Sequence, residues 1–363
     1  MRRWRRVHTA ALAAWLMLGS PPAVELTHGT RSGAVARATE ATPTAPTPPP
    51  DIAAPLEADP ETLEQQRAEL VEALREQQDL APTQLEAVAR ILDHSPVLGQ
   101  GNPAISVHPI SREACREAVR RTPLRPGDPT CGMPYMVPLY DPRRETPADA
   151  RVCIDQFEFP DVPCEYPVVH VSAREAVQLC EAIGKRLCDA HEWEGACAGA
   201  LLPAAREYAF GSERRAMRAA HNRDREIVWA YGAEKDHGRC ATTSFKTPGC
   251  PGSGYDRCGS NTFPTGAFPN CVSPLGAYDL HGNVAEHMNL PRLPSELGSA
   301  GGHGATEMKG SWFIFATTEA HPDDCRWRAP DWHGSSVTSP RSHSNYHLGF
   351  RCCRDVAPTG DRR

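Results

Sequence analysis

Apolar residues recur at helical spacing in the first third of the chain. Leu63, Leu70 and Leu74 fall on one face of a segment that runs to about Gln78, and Leu85, Val88 and Leu92 make an i, i+3, i+7 stripe on a second segment from about Pro82. Asp59-Pro60-Glu61 predicts the start of the first helix, with Asp59 as cap and Pro60 at the first helical position. A third, short helix starts at Ser111 and holds Cys115. Farther on, Ser172-x-x-Glu175 is a capping box that opens a helix over Ala173–Ile183, ended by Gly184, and Asp189-x-x-Glu192 opens another through about Ala198, ended by Gly199. From Leu201 to Asp355 no long helical period appears, only short apolar runs broken by glycine and proline. The pattern predicts a small helical region over 59–135 and a mixed α+β domain over 148–355.

What precedes the helices has a different character. Met1-Arg2-Arg3-Trp4-Arg5-Arg6 runs into a short apolar stretch from about Thr9 to Gly19, the layout of a signal peptide over residues 1–25. A mitochondrial presequence is the alternative, but its charge would be spread along a helix face rather than gathered in one block. The apolar run is shorter than the roughly 20 residues that span a bilayer, so no membrane span is expected once the leader is removed. Residues 26–58 are rich in Pro, Ala and Thr, which suits an extended linker. A net charge of −6 with both signs interspersed argues against nucleic acid. Fourteen cysteines without any Cys-x-x-Cys, behind an export leader, point to structural disulfides and to a secreted or periplasmic protein.

Four blocks of residues then carry a resemblance. They are Pro167-Val168-Val169-His170-Val171-Ser172; Gly184-Lys185-Arg186-Leu187-Cys188 with Glu192-Trp193-Glu194; Gly276-Ala277-Tyr278-Asp279-Leu280-His281-Gly282-Asn283-Val284-Ala285-Glu286; and Lys309-Gly310-Ser311-Trp312, closing with Leu348-Gly349-Phe350-Arg351-Cys352. In this order, across about Val152 to Cys353, the chain resembles the formylglycine-generating enzymes, also called sulfatase-modifying factors, and the helical preamble lies outside the match. The resemblance implies their variant of the C-type-lectin-like fold. It further implies disulfides Cys180–Cys352 and Cys197–Cys325, and Cys188 with Cys353 is a third candidate pair.

The resemblance also implies cofactors. Asp279, Gly282, Val284 and Glu286 match a family calcium site, in which two side chains and two backbone carbonyls face one ion, as a hard cation prefers. The ordinary alternative is that the two carboxylates cap turns or meet arginines. At the family's other calcium site only Asn222, near Tyr208-Ala209-Phe210-Gly211, matches. The family's oxidases use two cysteines that bind copper, placed between the blocks that are Gly310-Ser311-Trp312 and Cys325-x-x-Arg328 here. The intervening Phe313-Ile314-Phe315-Ala316-Thr317-Thr318-Glu319-Ala320-His321-Pro322-Asp323-Asp324 has no cysteine. Counting from either side puts the first catalytic position at Ile314 or Phe315 and the second at Glu319 or Ala320. The family's Trp of Asn-x-Trp-Glu is Ala285. Copper is therefore not expected, because Cu(I) selects soft thiolates.

Related sulfoxide synthases need a His-x-x-x-His-x-Glu on an N-terminal helical domain, where this chain has only His94 and His108. A second candidate cluster is His321, Asp323, His343 and His347, although Ser, Asn and Pro around His343-x-x-x-His347 make a helix there improbable. The reading is an exported, non-oxidase binding or structural module, a pseudoenzyme with a protein or glycan ligand in the cell envelope. The rival is an oxidase that converts a protein cysteine to formylglycine, or a related metal-dependent enzyme, with a changed site.

Overall fold

The computed structural model describes residues 62–330 and 334–357. The leader, the linker and the expected helix start at Asp59-Pro60 lie outside them. The described helices are α1 (Leu63–Gln77), α2 (Pro82–His94), α3 (Arg112–Arg121), α4 (Ala173–Ala182), α5 (Ala190–Ala198), the single turn α6 (Ala204–Glu207) and α7 (Arg214–Asp224). The strands are β1 (Met136–Leu139), β2 (Val152–Asp155), β3 (Arg186–Leu187), β4 (Ala285–Leu290), β5 (Ala305–Lys309), β6 (Leu348–Phe350) and β7 (Cys352–Asp355). One sheet has the order β1-β2-β7-β3, all antiparallel; in the other, β4 pairs antiparallel with β5 and parallel with β6. No described helix is long and apolar enough to cross a membrane.

Local chemistry accounts for the helix starts. The Thr62 hydroxyl accepts from the Gln65 amide at 3.1 Å while the Gln65 side chain accepts from the Thr62 amide at 2.8 Å, a reciprocal cap that begins α1. Its inner face is Gln66, Leu70 and Leu74, so Gln66 takes the slot expected of Leu63. Ser172 and Glu175 make the same reciprocal pair at α4. At α5 only the Glu192 half is made, because the Asp189 carboxylate is spent on Asn289 at 2.6 Å and the Gly298 amide at 3.1 Å.

The long loops do contain a regular helix, α7, which corrects the expectation of none beyond Leu201. Its 11 residues bury only Met217, so the apolar period that announces a helix is missing. It is held instead through polar ends: Asn222 both donates to and accepts from the Arg328 backbone, at 2.9 Å each way.

The helical region shares a core with the domain. Leu70, Leu74, Leu85, Val88 and Leu92 pack with Val171, Ala176, Val177 and Phe350, each large side chain contributing about 2 kcal/mol by leaving water. Gln78, just after α1, donates to the Asp161 carbonyl at 2.6 Å. Asp161 shares Lys185 with Asp155 at 3.0 and 2.6 Å, all three fully buried.

Strand β7 explains the stapling. Neighbouring strand residues face opposite sides of a sheet, so Cys352 reaches Cys180 on α4 while Cys353 reaches Cys188 before α5, each in a different core. Cys197–Cys325, Cys115–Cys164, Cys131–Cys153, Cys240–Cys271 and Cys250–Cys258 complete seven bonds, and no cysteine is free.

Candidate functional site

The loop from Asp279 to Glu286 is a tight turn that enters β4. Asp279, Gly282 and Asn283 all have left-handed backbones, and a Cβ at Gly282 would meet the Ala241 carbonyl at 2.6 Å. Only glycine fits that approach. Glu286 points inward, where the Arg351 guanidinium grips both its oxygens at 2.7 and 2.8 Å and the Trp193 indole donates to it at 3.0 Å. Asp279 accepts from the Gly266 amide at 2.6 Å, and burial pushes its carboxyl up to about 7. Glu158 takes the Val284 amide and the Asn283 side chain, at 3.0 and 2.6 Å.

The calcium implied by the resemblance can be tested on this donor set. Both Glu286 oxygens already face a buried cation, and an ion would have to share them with that guanidinium. In this arrangement Asp279, Gly282, Val284 and Glu286 do not fit a calcium ion, and no step is drawn through one. Asn222 of the other family site likewise has its side chain engaged by the Arg328 backbone.

Where the family's oxidases place their cysteines, the chain turns hydrocarbon inward. Phe313, Ile314 and Phe315 are buried, fixed by hydrogen bonds from Phe313 to Asn283, from Ser244 to Phe313 and from Ala316 to Thr242. Phe315 is ringed by Trp312, His237 and His321, with ring centroids 5.1 to 5.6 Å apart. Glu319 lies outside and pairs with Lys235. Phenyl, alkyl and an ion-paired carboxylate do not fit copper(I), which selects sulfur.

The second candidate cluster is divided by the fold. His321 stacks on Trp327 at 4.5 Å and His347 stacks on Trp312 at 4.7 Å, so both imidazoles border one aromatic patch, 5.5 Å separating the His321 and Trp312 rings. Asp323 faces elsewhere, accepting from the Trp229 indole at 3.1 Å and the Ser311 hydroxyl at 3.3 Å. His343 lends its backbone carbonyl to His287, and the His343–His347 stretch is not helical.

Sequence reasoning missed a buried charge network around Glu194. Glu194 on α5 receives Arg328 at 2.9 Å and Lys309 at 3.0 Å, all with fully buried side chains. Burial pushes the Glu194 carboxyl up, but Arg328 and Lys309 outweigh it and hold the group well below the usual carboxylate range. Glu207 and His221 adjoin it, and burial pushes Glu207 up. Glu194, Lys309 and Arg328 each stand in a block the sequence marked, but nothing local joined them; Glu207 and His221 sit on the unforeseen α6 and α7.

The formylglycine-generating enzymes of Mus musculus and Bos taurus are each 28% identical, over 205 and 204 residues, covering 54% of this chain and 46% of those proteins. The chain thus matches a little under half the length of these relatives. Among solved structures, CarF is 15% identical over 61% of this chain and 98% of that one with a TM-score of 0.30, and a Major Tropism Determinant I1 variant is 12% identical over 52% and 38% with a TM-score of 0.24. The family model for the sulfatase-modifying factor enzyme 1-like domain matches residues 104–356, taking in α3 but not α1 and α2. The chain belongs to the sulfatase-modifying factor, or formylglycine-generating enzyme, family.

Proposed function

We propose that this chain is an exported, non-oxidase member of the family, a module that presents its loop face to a protein or glycan ligand in the cell envelope or serves a structural role there. One observation carries the reading. All fourteen cysteines pair with one another, and the positions where the family's oxidases keep two thiolates present the buried side chains of Ile314 and Phe315 and an outward Glu319. The family's oxidases bind copper through that thiolate pair, and soft thiolate is the donor that selects Cu(I). Seven disulfides in one domain also favour an oxidising compartment over a reducing one.

The test uses the disulfide-bonded protein with Cu(I) and a Cys-x-Pro-x-Arg peptide under oxygen. The reading expects no thiolate-to-copper absorption and no conversion of the peptide cysteine. Turnover of the peptide would reverse it in favour of an oxidase with a rebuilt site.

A further inference from the structure

Beside α6 and α7 lies a cavity of about 710 Å³, walled by Tyr208 and Met217, with Arg225 and Arg326 also lining it. Glu207 and His221 line it too, with side chains only 6% and 8% exposed. The His221 Nε2 atom lies 2.8 Å from the Arg326 carbonyl oxygen and 3.3 Å from a Glu194 oxygen, so that nitrogen carries the proton and Nδ1 presents its lone pair. Nδ1 faces Glu207 Oε2 at 3.7 Å. That oxygen is buried and has no hydrogen-bond partner among the described residues. With the imidazole neutral, its Nδ1 and this carboxylate oxygen are two lone-pair donors close enough for one ion to bridge.

The supports around the pair are those of a metal ligand set. An imidazole that gives its other N–H to a backbone carbonyl is fixed in tautomer and ring angle, the usual arrangement behind a metal-bound histidine. Arg326 holds the second Glu207 oxygen at 3.2 Å and so orients the first. With bonds of about 2.1 Å to nitrogen and oxygen, donors 3.7 Å apart would subtend about 120° at an ion. Glu194, whose oxygens receive Lys309 and Arg328 and face the His221 Nε2–H, braces the imidazole from the other side.

We propose that Glu207 and His221 bind a divalent first-row transition ion such as Zn²⁺, with the remaining coordination positions open to the cavity. One imidazole and few oxygens suit zinc better than calcium, which takes about 6–8 oxygen ligands. Lys309 and Arg328 are paired with Glu194 and Arg326 with Glu207. These cations oppose another positive charge, so the ion is held exchangeably rather than as a structural zinc. The inference does not depend on the loss of the cysteine pair.

Calorimetric titration of the full, disulfide-bonded chain with Zn²⁺ after chelator treatment tests it. One equivalent is expected to bind; Glu207→Gln and His221→Gln should each weaken binding by about 10–100-fold or more, while Asp224→Asn at the cavity rim leaves it unchanged. Electron paramagnetic resonance of Cu²⁺ on the unsubstituted protein should show coupling to one imidazole nitrogen, and decides the matter alone if a variant does not fold. No stoichiometric binding, binding that survives both substitutions, or coupling to several imidazoles would overturn the assignment.

Discussion

Replacing Glu286 by glutamine removes one side of a charge pair sealed from water. The Arg351 side chain is fully buried and that of Glu286 is 1% exposed. Arg351 cannot withdraw to solvent, because its other donors are held by the carbonyls of Asp155 at 3.1 Å and Tyr278 at 3.0 Å. Breaking one side of such a pair leaves an uncompensated buried charge and costs about 3–5 kcal/mol, a fifth or more of a typical domain's 5–15 kcal/mol. Arg351→Met should cost at least as much, since it leaves Glu286 beside the buried Glu158 and Asp279 without their cation, whereas the double variant should lose less than the sum. Urea unfolding with disulfides intact, followed by tryptophan fluorescence, measures this, and Trp193 reports directly on Glu286. Run with calcium and with chelator, the wild-type midpoint should not move. An ion held at Asp279 and Glu286 would add about 2.7 kcal/mol at a hundred times its Kd. Single variants that cost under about 1 kcal/mol, or a calcium-dependent midpoint, would refute the claim that Arg351 rather than an ion neutralises this loop.

Other perturbations test other parts of the frame. Converting Cys180 and Cys352, 172 residues apart, to serine should cost up to about 5 kcal/mol, against about 2.5 for Cys250 and Cys258, 8 apart, by loop-closure entropy; thermal midpoints should fall in that order. Gly282→Ala forces a side chain into a left-handed backbone against the Ala241 carbonyl, and about 1–3 kcal/mol of strain should appear as a lower unfolding midpoint. Burial pushes His170 down to about 4, so the unfolded chain takes up a proton near 6.5 that the folded chain refuses. Stability from this group is therefore present above pH 6.5 and lost as pH falls toward 4. Relative to His170→Asn, wild type should lose about 3 kcal/mol across that interval, and an unchanged difference would contradict its burial as neutral imidazole.

Legibility in the sequence followed the range of the interaction. Helix α4 was readable because its cap, its apolar face and its stop lie within a dozen residues. Helix α7 was not, since it buries one apolar residue and is secured by Arg328, more than a hundred positions away. The Asp279–Glu286 loop matches a family ion site on residues that are local in the chain, whereas Arg351, which answers Glu286, lies 65 residues downstream. Spacing alone said nothing about disulfide partners. The resemblance supplied Cys180–Cys352 and Cys197–Cys325, and the alternating faces of β7 show why vicinal Cys352 and Cys353 go to partners on opposite sides of the sheet, Cys180 on α4 and Cys188 between β3 and α5. The histidine cluster mixed neighbours with strangers, because in loops the distance along the chain does not set the distance in space.

Every cysteine sulfur is bound in a disulfide, which leaves no thiolate for redox chemistry. Thiol titration of the denatured, unreduced protein tests it most directly. No thiol should react before reduction and fourteen should react after it; two thiols reacting before reduction would restore a free cysteine pair and overturn the non-oxidase reading.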